Sequence, residues 1–319
     1  MKQFHSRTIL FIAIFLSLVR IIGQFDNLDK SKSNNVNIAK LYYQSHFDSL
    51  DILFLGNSFC YSGINPSYFD SIHLNTFNLG IATAGVNFYS LICKDYLSSV
   101  KQKPKAVFIL ISPIIFYKNS DDIVDYPIHR YLNNPISHES YIYNYQPELL
   151  NSYPKILTKS FVKFFYALFS RGNNHLPLDS LKKSKGFIPS EEKYSRIKEN
   201  AFNPLYEDYK YDVFVSKKKQ ILLDLTSFLL KNNIKVVFFE LPSNKLDTYF
   251  SPTYMKDYNS FLNTLQSKYL LIRNHIVLDE IYYRDTDHLN TNGAKLASLN
   301  LINEIIKLDE VMKILKSKK

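Results

Sequence analysis

The chain has 319 residues, enough to bury a sizeable core as one large domain or a domain with an insert. Hydrophobic residues make up 46% and charged residues 21%, globular values that exclude a disordered chain. The formal net charge is +10, but the lysines are scattered, with no zinc-finger spacing, Arg-rich helix or aromatic RNA-binding motif, so the charge reads as a solvated basic surface or one drawn to acidic glycans or lipid headgroups, not as a nucleic-acid interface.

Residues 1–23 have the pattern of a targeting segment. Lys2 and Arg7 precede an apolar run at 9–19, which Arg20 interrupts and Ile21-Ile22 extend. A basic flank before a short apolar helix predicts a single-pass signal-anchor, or a signal peptide cut after Gly23, with everything beyond it outside the cytoplasm. Residues 24–49 are read as a stalk, polar at 24–37 and with a short helix at 38–45. The two cysteines, Cys60 and Cys93, suit export without implying a disulfide framework, and a bridge between them is left open.

The domain proper is expected at 50–319. An apolar strand at 52–55 breaks at Gly56-Asn57-Ser58, which places a small hydroxyl residue at a strand's carboxyl end, where open α/β sheets bind and act on ligands. The bland alternative is a turn in which Ser58 caps a helix. A strand at 76–79 ends at Gly80, a helix follows at 89–100, and a third strand at 106–111 is closed by Ser112-Pro113. Between 118 and 211 the alternation dissolves around seven prolines, and this stretch is read as an insert over the active edge with one aromatic helix at 156–170. Alternation then returns as a helix at 213–231, a strand at 234–241, a helix at 254–268, a strand at 276–278 and a closing helix at 291–308. Strands alternating with helices predict an α/β fold, a parallel sheet with helices on both faces.

A serine nucleophile needs a base, and the base needs a carboxylate to orient it. Asp285 and His288 supply both from one short loop, with Asp287 as the rival carboxylate. No glycine-rich phosphate loop or Cys/His metal cluster accompanies them, so no cofactor or metal is expected.

The ordered pair of Gly56-Asn57-Ser58 and Asp285-Thr-Asp-His288 resembles the first and last blocks of the SGNH (GDSL-like) hydrolase superfamily. Phe77-Asn78-Leu79-Gly80 is similar to its second block, while Ser112-Pro113 stands where the family carries Gly-x-Asn-Asp. The resemblance implies a three-layer flavodoxin-like fold with Ser58, Asp285 and His288 catalytic, and Gly80, Asn57 and Ser112 lining an oxyanion or substrate site. It points to the divergent branch that modifies cell-surface polymers. The expected activity is therefore esterase or O-acyltransferase chemistry on an extracytoplasmic polysaccharide, with a membrane-bound acyltransferase as candidate partner. A non-catalytic glycan-binding or assembly protein on the same fold is the alternative.

Overall fold

The computed structural model describes residues 36–82, 84–116, 178–191, 216–243, 250–285 and 287–317. Its strands are β1 (Ile52–Leu55), β2 (Thr76–Asn78), β3 (Ala106–Leu110), β4 (Lys235–Phe239) and β5 (Leu270–Ile272). They form one five-stranded sheet in the order β2-β1-β3-β4-β5, every neighbouring pair parallel. That is the doubly wound order, and its winding reverses between β1 and β3. The sequence explains the placement. β1 and β3 are uninterrupted apolar runs buried along their whole length, as strands covered on both faces must be. β5 sits at an edge, with Leu270 and Leu271 only partly covered.

The helices are α1 (Val36–Tyr43), α2 (Ser58–Gly63), α3 (Val86–Ser99), α4 (Leu178–Ser184), α5 (Ser216–Lys231), α6 (Pro252–Lys268), α7 (Thr291–Ile306) and α8 (Asp309–Lys316). On one face α7 packs against α2 and the 3-10 helix Pro66–Ile72; elsewhere α3 packs against α5, which also covers β4. Phe54 and Phe108 anchor the centre, their rings 5.6 Å apart, each also meeting Phe239. Among the described residues no helix is long and apolar enough to cross a membrane, and the expected anchor at 1–23 lies outside them.

Three expectations change. The last strand lies at Leu270–Ile272, not 276–278. Helix α6 runs almost directly into it, Leu270–Ile272 takes the free edge of β4, and Val277 is left 98% exposed. The stalk loses its second half, because residues 36–47 fold onto the domain. Ala39, Lys40, Leu41 and Gln44 are buried, Tyr96 Oη donates to Phe47 O at 2.7 Å, and Phe47 stacks on Phe77. The closing helix stops at Ile306 and a separate α8 follows, held by buried Val311 and Leu315. Cys60 and Cys93 are both buried and free. Of the insert at 118–211, only residues 178–191 are described; the aromatic helix expected at 156–170 lies outside them.

Candidate active site

The turn after β1 is shaped by what cannot fit there. A Cβ on Gly56 would lie 2.4 Å from Cys60 Cβ and 3.0 Å from Leu110 Cβ, so only glycine lets α2 start so close to the sheet. Asn57 is the N-cap of α2: its backbone is extended and its side chain accepts from Phe59 N at 3.1 Å. Ser58 is therefore the first helical residue, and no hydrogen bond within the described residues engages its own N–H. The helix is fixed from below by Asn78, whose amide donates to Cys60 O and Ile64 O, both at 2.7 Å. A six-residue helix has little stability of its own. Ser58 inherits its place from the cap above and Asn78 below.

The partner loop folds around one carboxylate. Asp285 Oδ1 accepts from His288 N at 2.8 Å and Asp287 N at 3.0 Å, the local pattern by which a short acidic side chain builds a turn. Arg284 N donates to His288 O at 2.9 Å, and a bridge between Tyr283 and Leu289 closes the loop. Asn290 then caps α7, accepting from Asn292 N and Gly293 N. Its amide also donates back to Ile281 O and Tyr283 O. Gly293 is needed because a Cβ there would sit 2.2 Å from Tyr282 O. The Asp-x-x-His-Leu-Asn-x-x-Gly run is thus a single folding unit.

His288 links the two halves. Its Nδ1 lies 2.9 Å and 3.0 Å from the two oxygens of Asp285, and its Nε2 lies 2.8 Å from Ser58 Oγ. A carboxylate at Nδ1 can only accept, so Nδ1 carries the proton and Nε2 is left to accept from the serine hydroxyl. Both ring nitrogens are engaged, and neither bond involves the rival Asp287. Phe59 lies beside the imidazole, ring centroids 4.8 Å apart. Burial opposes the charged form of Asp285. The hydrogen bonds and charge of His288, with the N–H of Asp287, outweigh it and hold the carboxyl well below its usual range. Arg284 Nε adds a contact to Asp285 Oδ2 at 3.3 Å.

Gly80 requires a correction. Its N–H donates to Asn78 Oδ1 at 2.9 Å, so it is not the open oxyanion donor expected from the sequence. Its carbonyl accepts from the buried Lys40 Nζ at 2.6 Å, and a Cβ would lie 2.7 Å from Tyr61 N. Gly80 is a packing glycine beneath α2. Gly85 is the N-cap of α3 and supplies that helix with no side-chain cap. Ser112 is 7% exposed, just past β3, and its Oγ has no hydrogen-bond partner among the described residues. Cys60 is excluded as a rival nucleophile, since burial pushes its thiol up to about 12 despite Lys40 nearby. No group of His, Cys, Asp and Glu among the described residues could hold a metal ion.

No protein-family profile matches the chain, and no curated protein matches it. Solved structures do. A proposed acylhydrolase from Bacteroides fragilis covers 89% of this chain and 100% of its own, with 12% identity and a TM-score of 0.43. A GDSL-like lipase from Bacteroides thetaiotaomicron covers 81% of this chain and 88% of its own, with 12% identity and a TM-score of 0.38. A proposed lipolytic protein of the G-D-S-L family from Desulfitobacterium hafniense covers 79% and 97%, again with 12% identity, at a TM-score of 0.39.

Proposed function

We propose that the protein performs serine-dependent acyl-ester chemistry, with Ser58 as nucleophile, His288 as general base and acid, and Asp285 as the group that orients His288. The observation that carries this reading is the unbroken relay from Ser58 Oγ to His288 Nε2 at 2.8 Å and from His288 Nδ1 to Asp285 at 2.9 Å. In the reaction Ser58 Oγ attacks the ester carbonyl as its proton passes to His288 Nε2. The carbonyl electrons move to oxygen, then return to expel the alcohol, which leaves with the proton from His288. The acyl-serine passes next to water or to a sugar hydroxyl, activated by the same nitrogen. Asp285, kept ionised, stabilises the imidazolium between these steps.

The oxyanion needs donors at the sheet's carboxyl edge. We assign them to the Ser58 N–H, to the N-terminus of α3 at Gly85 and to the Ser112 hydroxyl. Donors of this kind are each worth about 3–4 kcal/mol in an acyl-transfer transition state. The substrate class proposed is an O-acylated polysaccharide outside the cytoplasm. Support for it comes from the targeting pattern at 1–23 and the basic charge of +10, which suits an acidic polymer.

Labelling with a fluorophosphonate probe tests the chemistry. The folded wild type should react at Ser58, and Ser58→Ala should not. His288→Ala should lose nearly all reactivity. In ester turnover the double variant should be little worse than either single one, because triad members act as a unit. A folded wild type that the probe leaves untouched would overturn the reading. The substrate class is tested by comparing acyl content of surface polysaccharide in cells carrying wild type, Ser58→Ala or a deletion. A defect confined to the deletion would favour a non-catalytic binding role.

A further inference from the structure

Ser58 and His288 lie near the ends of different helices, and a third run of chain is fastened to both. That run, residues 185–190, follows α4. At one end Lys185 O accepts from Asn78 N at 2.9 Å, where β2 ends. Gly186 leaves no room for a side chain against that edge: its φ is +82°, and a Cβ would lie 2.2 Å from Asn78 O. Phe187 is buried. Ile188 N then donates to Tyr61 O at 3.1 Å, one helical turn past Ser58. At the far end Thr291 N donates to Ser190 O at 2.9 Å and Ser190 N donates to Thr291 Oγ1 at 3.1 Å. Thr291 Oγ1 also lies 3.0 Å from Ser190 O and 3.1 Å from Glu191 Oε1. Thr291 opens α7, the helix entered directly from the His288 loop.

From Ile188 to Ser190 the chain can span at most about 7 Å. Its attachment points on the nucleophile's helix and on the base's helix cannot separate without breaking a bond. A second hydrogen bond between these regions, Asn65 N to Ser298 Oγ at 2.9 Å, lies beyond the end of α2 and about two turns into α7. It acts away from the reactive ends, where the helices meet through side chains such as Phe59 beside His288.

We propose that residues 185–190 are a tether that sets the separation of Ser58 and His288, with Thr291 as the positioning residue at its base end. This rests on the acyl-transfer reading above. Thr291 touches no reacting atom. It acts by holding Nε2 within the 2.6–3.2 Å that proton transfer requires, where a displacement of about 1 Å can cost on the order of a hundredfold in rate.

The test uses the full chain and a fluorophosphonate, whose phosphorus bonds to Ser58 Oγ as fluoride leaves and the serine proton passes to His288. Thr291→Val keeps the β-branched shape without the hydroxyl, and Thr291→Ser restores the hydroxyl. Rates resolved into kinact and KI, with thermal unfolding measured alongside, should show kinact lowered about tenfold or more in Thr291→Val at unchanged KI. Thr291→Ser should return to within about twofold of wild type. Should Thr291→Val fail to fold, Thr291→Ala takes its place with the same expectation. A valine or alanine variant as fast as wild type, or a serine variant as slow as valine, overturns the tether while leaving the acyl reading intact. A wild type that is folded but unreactive removes the acyl reading and the tether with it.

Discussion

Ser58 and His288 are 230 positions apart in the chain and 2.8 Å apart in the fold. The doubly wound sheet accounts for this. α2 leaves the carboxyl end of β1, and α7 returns to pack on α2 with its N-terminus at that same edge. Neither segment carries chemistry alone, because the serine is an ordinary alcohol until the imidazole reaches it.

The two aspartates of the loop should behave very differently. In Asp285→Asn the new amide can still accept from the backbone N–H groups at 287 and 288, so the turn should survive. Its NH₂ can instead face Nδ1 and impose the wrong tautomer, with a loss of about four orders of magnitude in kcat. Asp287→Asn should change kcat by less than about tenfold, since Asp285 holds the ring. Steady-state ester turnover with circular dichroism as a folding control measures both. Equal losses at the two positions would contradict the assignment.

Ser112→Ala removes a single buried hydroxyl and adds no bulk. If that hydroxyl meets the oxyanion, kcat should fall about a hundredfold with KM nearly unchanged, the pattern of a contact made only in the transition state. An unchanged kcat would return the oxyanion to backbone donors alone.

Gly293→Ala should injure the base loop from behind. The added methyl meets Tyr282 O at 2.2 Å, against backbone that Asn290 also holds. Overpacking of this kind costs about 1–3 kcal/mol. Urea unfolding should show that loss, with reduced probe labelling at Ser58 because Asn290 and His288 share the displaced loop. Full stability together with full labelling would show that the loop relaxes without consequence.

Lys40 should leave its mark on stability against pH. Burial lowers its pKa from 10.5 to about 7, with the nearby Cys60 acting in the opposite sense. Between those pH values the unfolded chain holds a proton that the folded chain has released. Stability from this group therefore rises with pH across that window, by at most about 1.4 kcal/mol per pH unit, and is flat below it. Lys40→Met should remove that slope. Urea midpoints of wild type and variant from pH 7 to 10 give the comparison, and an identical slope in both would show that Lys40 stays charged in the fold.

What was legible in the sequence follows from what is local. Asp285 and His288 are separated by the spacing that one carboxylate needs to bond the ring and the intervening backbone, so the loop announces itself. Gly56-Asn57-Ser58 likewise reads as a close approach, a cap and a first helical residue. Gly80 misled because its N–H has a competitor two residues earlier, Asn78, and an Asn-x-Gly turn could have warned of it. The strand at 270–272 was hidden because 270–272 and 276–278 are equally apolar, and only pairing with β4 chooses between them. Lys40 looked like a stalk residue, since nothing beside it in the chain foretells burial under Gly80 and Tyr61. The tether was invisible for the same reason: its partners at Asn78, Tyr61 and Thr291 come from three distant elements.

The same parallel sheet bears on how the protein comes into being. Every strand can exist before residue 288 has been synthesised, so the sheet can begin to assemble around a nucleophile that has no partner. A growing chain, or one stopped short of residue 288, displays Ser58 with no base to draw its proton. Chemical competence thus arrives late, when α7 docks on α2. On the acyl-transfer reading proposed above, the serine is held inert against esters until that docking is complete.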